Sequence, residues 1–355
     1  MIKRRKTRQV RVGDVRIGGN APVSIQSMAK IETSRVKDVV RQIKGLEKCG
    51  CEIIRVAVKT QEDAHAVKQI KKKIDIPLVA DIHFDHRLAL IAIKSGADKI
   101  RLNPGNIKKR DEITQVVNAA RKAGIPIRIG VNSGSTSGDF VKSAIGYAGL
   151  FEDLDFHDII ISLKGSDVAQ TVEAYKAIAG ICDYPLHLGV TASGPYNEGI
   201  VKSSIGIGAL LLDGIGDTIR VSLTAEPEEE VIAAKRILGC LGSRKFGPNI
   251  LSCPTCGRCQ VDLVEIVNKF DNAVSRRRLR LWRDPAKHEV RPAGRNEPLT
   301  IAIMGCEVNG PGEAREADIG IAFGKGSGML FKKGKIIKKV AAKNAVKELL
   351  KNIKD

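Results

Sequence analysis

Eight short runs rich in Val, Ile and Leu recur through the first two thirds of the chain, starting at Pro22, Cys51, Pro77, Lys99, Pro126, Asp158, Pro185 and Thr218. Their starts lie 22 to 33 residues apart, the length of one strand, one helix and two short loops. Continuous aliphatic runs mark strands buried on both faces, as in a parallel sheet, and eight such units close naturally into a (β/α)8 barrel. A barrel uses about 250 residues. The chain has 355, so the spacing predicts an α/β protein with a barrel over residues 1–242, a Gly- and Pro-rich linker over 243–249 and a smaller α/β domain over 250–355. That domain should hold a helix over 261–274, strands over 299–304 and 319–323, a charged loop over 284–298 and a closing helix around 340–350.

Polar residues cluster at the carboxyl end of each run, where barrels of this kind carry their active sites. They are Gln26, Arg55, Asp81 with His83, Arg101 with Asn103, Arg128 with Asn132, Lys164, Thr191 with Ser193, and Arg220 with Ser222. Any one of them could simply cap a helix or pair at the rim; eight strands doing so together point to a binding site. Arg55, Arg101, Arg128 and Arg220 alternate with aliphatic residues in buried strands, so each guanidinium needs a counter-charge. Converging arginines suit a phosphate-bearing ligand, because the planar fork bonds two oxygens at once. Lys202 is expected to open the seventh helix, where the backbone N–H groups also favour an anion. Asp81 and His83 stand two apart on one strand and so on one face.

The second domain carries Cys253-Pro-Thr-Cys256 and, after a gap, Cys306-Glu-Val-Asn-Gly-Pro-Gly-Glu313. Three thiolates from two segments suit zinc or an iron–sulfur cluster, and ligand softness favours the cluster. Cys259 could complete a four-cysteine zinc ribbon, although Cys306 has no second cysteine beside it. Cys49, Cys51, Cys182 and Cys240 sit in apolar or helical surroundings and read as small buried thiols. No segment approaches the roughly 18 to 20 apolar residues of a membrane span, and no apolar run follows the start, so a cytoplasmic protein is expected. The net charge of +19 raises nucleic acid as a partner. Only 4% of residues are aromatic, however, and the basic stretches Arg276–Arg283 and Lys332–Lys354 are not interleaved with stacking platforms. An anionic small molecule or an acidic protein explains the charge as well, and nucleic acid is not the expected partner.

The blocks Ser252-Cys-Pro-Thr-Cys256, Gly305-Cys-Glu-Val-Asn-Gly-Pro-Gly-Glu-Ala314, Ala80-Asp-Ile-His83, Ile100-Arg-Leu-Asn-Pro-Gly-Asn106, Ile129-Gly-Val-Asn-Ser-Gly134 and Lys202-Ser-Ser-Ile-Gly-Ile-Gly208 resemble the bacterial 4-hydroxy-3-methylbut-2-enyl diphosphate synthases of the methylerythritol phosphate route to isoprenoids. The resemblance runs in order along nearly the whole chain. It implies a barrel joined to an iron–sulfur domain like that of sulfite and nitrite reductases. It also implies a 4Fe-4S cluster held by Cys253, Cys256, Cys306 and Glu313, and two-electron reductive ring opening and dehydration of 2-C-methyl-D-erythritol 2,4-cyclodiphosphate. Arg55, Arg101, Arg128 and Lys202 would then bind the diphosphate, with Asn103, Asn132 and Ser222 completing its hydrogen bonds. Asp81 and His83 would hold substrate hydroxyls or move a proton, and Glu230 would match an acid–base glutamate, although three consecutive glutamates at a helix start also suit the dipole alone. The electron donor would be ferredoxin or flavodoxin, and the assembly a head-to-tail homodimer. Cys259 and the length of the basic segment 276–297 depart from the family pattern. The rival readings are a pterin-binding barrel enzyme, which needs no cluster, and a zinc-ribbon nucleic-acid binder.

Overall fold

The computed structural model describes residues 2–103, 105–132, 139–281 and 299–353. Ser133 and Gly134, the side chains of Arg276–Arg283 and the expected loop over 284–298 lie outside the described residues. The chain divides into two compact units, Met1–Arg244 and Lys245–Asp355.

The first unit opens with a hairpin, β1 (Gln9–Val12) and β2 (Val15–Gly18), followed by alternating strands and helices. These are β3 (Ser24–Met28), α1 (Val36–Cys49), β4 (Ile53–Val58), α2 (Gln61–Lys71), β5 (Leu78–Ile82), α3 (His86–Lys94), β6 (Lys99–Leu102) and α4 (Arg110–Ala123). They continue through β7 (Ile127–Asn132), α5 (Phe140–Glu152), β8 (Ile159–Lys164), α6 (Val168–Ile181), β9 (His187–Leu188), α7 (Tyr196–Leu212), β10 (Thr218–Ile219) and α8 (Pro227–Cys240). All eight strands expected from the aliphatic runs are present, in the order β8-β7-β6-β5-β4-β3-β10-β9. Closure comes from the Ile161–Leu186 bridge, where Ile161 N donates to Pro185 O at 2.9 Å. The helices begin where short acceptors satisfy free N–H groups: Thr60 and Asp63 form a reciprocal capping box, and Asp85, Asp139 and Asp167 cap α3, α5 and α6.

The hairpin was not legible as such. Val10, Val12 and Ile17 pack against Ile53, Val79 and Ile160, residues at the amino ends of β4, β5 and β8. It therefore plugs the end of the barrel opposite the strand carboxyl termini. Apolar packing at one end confines the polar interior to the other.

The second unit is a five-stranded sheet of β11 (Asn249–Ser252), β12 (Thr300–Met304), β13 (Ile319–Phe323), β14 (Ser327–Lys332) and β15 (Lys335–Ala341), paired in that order. Strands β11 to β13 are parallel, and β14 and β15 add antiparallel. One core joins α9 (Leu263–Leu281) and α11 (Ala345–Asn352) to the sheet through Ile266, Phe270, Ile303, Ile321 and Leu349. A second core holds α10 (Gly310–Glu316) to it through Ala302, Met304, Ala314, Ala322 and Phe331. Gly320 on β13 leaves room for the Ala314 backbone, which a Cβ would strike. The closing helix starts later than expected: Val340 and Ala341 end β15, and the helix begins at Ala345. Strand pairing of Gly328 with Val340 outweighs local helix preference there.

Ile17→Ala, which empties a fully buried position in the plug, is expected to cost about 2–5 kcal/mol. Chemical denaturation should show the loss as an earlier unfolding transition.

Candidate functional site

Parallel pairing sets Asp81 opposite Arg101 and Arg101 opposite Arg128, so side chains from β5, β6 and β7 share one face of the sheet. Asp81, buried at the carboxyl end of β5, is the hub. Arg101 Nη1 donates to its Oδ1 at 3.2 Å, while Arg55 Nε stands 3.7 Å and His83 Nε2 3.5 Å from its Oδ2. Arg101 is fixed further by Nη2 donating to Gly130 O at 3.0 Å, and Arg55 by contacts with the Met28 sulfur. A Cβ at Gly130 would fall 2.5 Å from Arg101 Nε, so glycine is required for the guanidinium to lie there. Burial acts to raise the Asp81 carboxyl, but Arg55, His83, Arg101 and Arg128 together hold it well below the usual carboxylate range.

Glu230 is the second buried carboxylate. It accepts from Leu223 N at 3.1 Å, Ser27 Oγ at 3.3 Å and Arg220 Nη2 at 3.4 Å, and Lys30 Nζ lies 3.2 Å away. Glu228 and Glu229 are only half-buried. Burial therefore separates Glu230 from its two neighbours, which the run of three glutamates alone could not do.

Against these two carboxylates stand Arg55, Lys99, Arg101, Arg128, Lys164 and Arg220. Arg128 is 1% exposed, and among the described residues its Nε and Nη1 have no hydrogen-bond partner; Gln26 Nε2, Arg101 Nε and Arg220 Nε are likewise unpartnered there. Lys99 Nζ reaches Gln26 Oε1 at 3.4 Å, and Lys164 Nζ meets His187 Nε2 at 3.3 Å. Burial, reinforced by neighbouring cations, pushes Lys99, Arg128, Lys164 and His187 well below their ordinary values. Donors without acceptors around an uncompensated positive charge make a site for an anion.

The remaining expected residues take mixed positions. Asn103 is buried, and its Oδ1 accepts from Gly105 N at 3.0 Å, which shapes the loop after β6. Asn132 ends β7 opposite Lys164. Ser222 is half-buried, with its carbonyl bonded by the Ser193 hydroxyl. Lys202 does not open its helix: α7 starts at Tyr196, so Lys202 lies in the second turn, half-buried. The helix starts early because Pro195 supplies the extended residue before it. Lys99 and His187 were missed; each alternates with a hydrophobic residue in a buried strand, the same signal that marked the arginines.

In the second unit, Ser252 pairs with Ile303 in parallel strands, so the cysteine segments after β11 and β12 leave the sheet at the same edge. Gly305 N donates to Cys253 Sγ at 3.3 Å. A Cβ at Gly305 would lie 2.5 Å from Cys259 Sγ and 3.5 Å from Cys253 Sγ, so this glycine makes space for two sulfurs. Cys259 donates to Val261 O at 3.3 Å. The Cys306 thiol is lowered by the backbone N–H groups of Val308 and Asn309, and further by Gly310 and Arg258. Cys256 and Glu313 are exposed, Glu313 in the first turn of α10. Among the described residues no three His, Cys, Asp or Glu side chains converge as around a single metal ion. A four-iron cluster instead takes its ligands on separate irons. Thiols at one sheet edge, two of them receiving backbone N–H bonds, are suited to that larger group.

A family model described as the GcpE TIM-barrel domain matches residues 7–235, and one described as the GcpE protein C-terminal domain matches residues 249–355. A Thermodesulfovibrio yellowstonii protein named 4-hydroxy-3-methylbut-2-en-1-yl diphosphate synthase (flavodoxin) is 50% identical over 366 aligned residues, covering 100% of both chains. A Fusobacterium nucleatum protein of the same name is 50% identical, covering 99% of this chain and 98% of its own. Among solved structures, dihydropteroate synthase from Stenotrophomonas maltophilia is similar with a TM-score of 0.51 and 12% identity, covering 67% of this chain and 99% of that one. That likeness is one of fold alone.

Asp81→Asn removes the counter-charge of Arg55 and Arg101 and is expected to cost about 3–5 kcal/mol in ligand-free buffer. Because the folded carboxyl is depressed, its contribution is complete above the ordinary carboxylate pKa of about 3.9 and is lost as pH falls toward the folded value. Denaturation of both proteins across the acid range should show that loss in the native chain and its absence in the variant.

Proposed function

This chain belongs to the GcpE family across both of its domains, and we propose that it reduces 2-C-methyl-D-erythritol 2,4-cyclodiphosphate to 4-hydroxy-3-methylbut-2-enyl diphosphate in isoprenoid biosynthesis. The observation that carries this reading is the set of buried, unpartnered guanidinium donors at Arg101, Arg128 and Arg220. A cyclic diphosphate offers acceptor oxygens and negative charge to those donors. A pterin-binding enzyme or a zinc-ribbon nucleic-acid binder would leave either the cysteines or the barrel cations without a purpose.

In the reaction two electrons and a proton enter, a ring C–O bond to the diphosphate opens, and a hydroxyl leaves as water. The barrel over 1–242 binds substrate, the domain over 250–355 carries the redox centre, and 243–249 joins them. Arg55, Arg101, Arg128 and Lys202 hold the diphosphate, with Asn103, Asn132 and Ser222 donating or accepting around it. Asp81 orients Arg55 and Arg101, and with His83 faces the substrate hydroxyls. Glu230 holds Arg220 in place.

Cys253, Cys256, Cys306 and Glu313 would hold a 4Fe-4S cluster, which when bound supplies electrons singly and offers one iron with a labile carboxylate ligand. The donor is flavodoxin or ferredoxin, the first supported by the names of the relatives. A basic protein would attract such acidic partners over long range. A cytoplasmic head-to-tail homodimer is the assembly this reading favours, and no described helix is long and apolar enough to cross a membrane.

Anaerobic purification should yield roughly four irons and as many sulfides per chain, and turnover of the cyclodiphosphate with reduced flavodoxin. Cys306→Ser should lose most of the iron and the activity together. Stoichiometric zinc without turnover would overturn the reading. Arg128→Met should keep its iron but raise KM at least about tenfold, the equivalent of one lost charged hydrogen bond.

A further inference from the structure

Lys30 stands in the loop between β3 and α1, and its backbone is fixed by N donating to Gln42 Oε1 at 2.9 Å. Parallel pairing of β3 with β10 brings this loop beside the one between β10 and α8. The side chain bridges the two: Nζ donates to Leu223 O at 3.0 Å and to Ala225 O, and lies 3.2 Å from Glu230 Oε1. An ammonium has three protons, and three acceptors surround this one. Glu230 is equally full. Its Oε1 takes Leu223 N at 3.1 Å as well as Lys30, and its Oε2 takes Ser27 Oγ at 3.3 Å.

Arg220 is the loosely held member of this group. Its Nη2 lies 3.4 Å from each Glu230 oxygen, whereas a guanidinium committed to a carboxylate makes two parallel bonds of about 2.7–2.9 Å. Among the described residues its Nε has no partner. Two cations thus compete for one buried carboxylate, and the lysine occupies an oxygen that a second guanidinium nitrogen would need.

We propose that Lys30 is a positioning residue for substrate binding: by sharing Glu230 it keeps Arg220 from closing on that carboxylate, and so leaves guanidinium donors for a phosphate oxygen of the ligand. The inference deepens the cyclodiphosphate reading above and rests on it. Without the amine, Glu230 Oε1 retains only Leu223 N, and Arg220 can bond both oxygens at once. A guanidinium forked onto Glu230 has fewer N–H groups left to offer a diphosphate. Lys30 has all three of its protons bonded within the protein, so its effect passes through Arg220 and falls on ligand affinity. An interaction lost equally from the bound substrate and the transition state raises KM and spares kcat.

The test is calorimetric titration of the anaerobically purified full chain with the cyclodiphosphate, without reductant, in the native protein and a set of variants. Lys30→Met should weaken binding about tenfold, the equivalent of one charged hydrogen bond, and under turnover should raise KM by a similar factor with kcat little changed. Lys30→Gln keeps a donor for the loop carbonyls but not the charge; it should lose as much, and it serves if the methionine variant fails to fold. Lys30→Arg keeps a cation on Glu230 and should bind within about twofold of the native chain. In a Glu230→Gln background Arg220 has no charged carboxylate to close on, so adding Lys30→Met should change affinity by less than about twofold. Native affinity in Lys30→Met or Lys30→Gln, no recovery in Lys30→Arg, or an equal loss in the Glu230→Gln background would overturn the proposal while leaving the substrate reading intact. The last of these would mark Lys30 as acting through its own charge or through the loop. No heat of binding with the native chain would overturn the substrate reading and the proposal with it.

Discussion

The barrel interior is organised by an excess of buried positive charge. Six cationic side chains share two carboxylates, Asp81 and Glu230, and each carboxylate is surrounded by donors from separate strands or loops. Such an arrangement opposes folding unless every contact is well made, because desolvated guanidinium groups gain little from one another. The surrounding structure supplies those contacts. Gly130 makes room for Arg101, the Met28 sulfur lies against Arg55, and Glu230 bonds the Leu223 amide as well as Arg220. What is left unpaired among the described residues, chiefly Arg128, is the capacity for a ligand.

The same constraint explains the apolar plug. A polar, charged interior cannot supply a hydrophobic core of its own, so the opposite end of the barrel is sealed by Val10, Val12 and Ile17 against Ile53, Val79 and Ile160. Along β4 and β5 the alternation places an aliphatic residue toward the plug and a charged one toward the mouth: Ile53 then Arg55, Val79 then Asp81. Stability and binding are thereby divided between the two ends of one sheet.

The second unit solves a different problem, the presentation of sulfur at a sheet edge. Parallel pairing of β11 with β12 carries Cys253 and Cys306 to the same edge, and Gly305, which follows β12, leaves room for the Cys253 and Cys259 sulfurs. Cys259 lies close enough to share this space. Its donation to Val261 O and its packing against the sheet core account for it as part of the wall.

The amino-acid sequence by itself determined the eight strands, the position of polar residues at their carboxyl ends and the two cysteine segments, because strand burial and ligand chemistry leave periodic, local marks. It could not distinguish Glu230 from Glu228 and Glu229, nor show that Lys99 and His187 belong to the same interior as the arginines. Those facts depend on which side chains meet across the barrel, through contacts such as Ser27 with Glu230 and Lys164 with His187 that join residues far apart in the chain. The hairpin plug and the late start of the last helix were also tertiary decisions. In both, pairing and packing with distant strands outweighed local preference, since burying an apolar face is worth more than the small propensity differences between neighbouring residues.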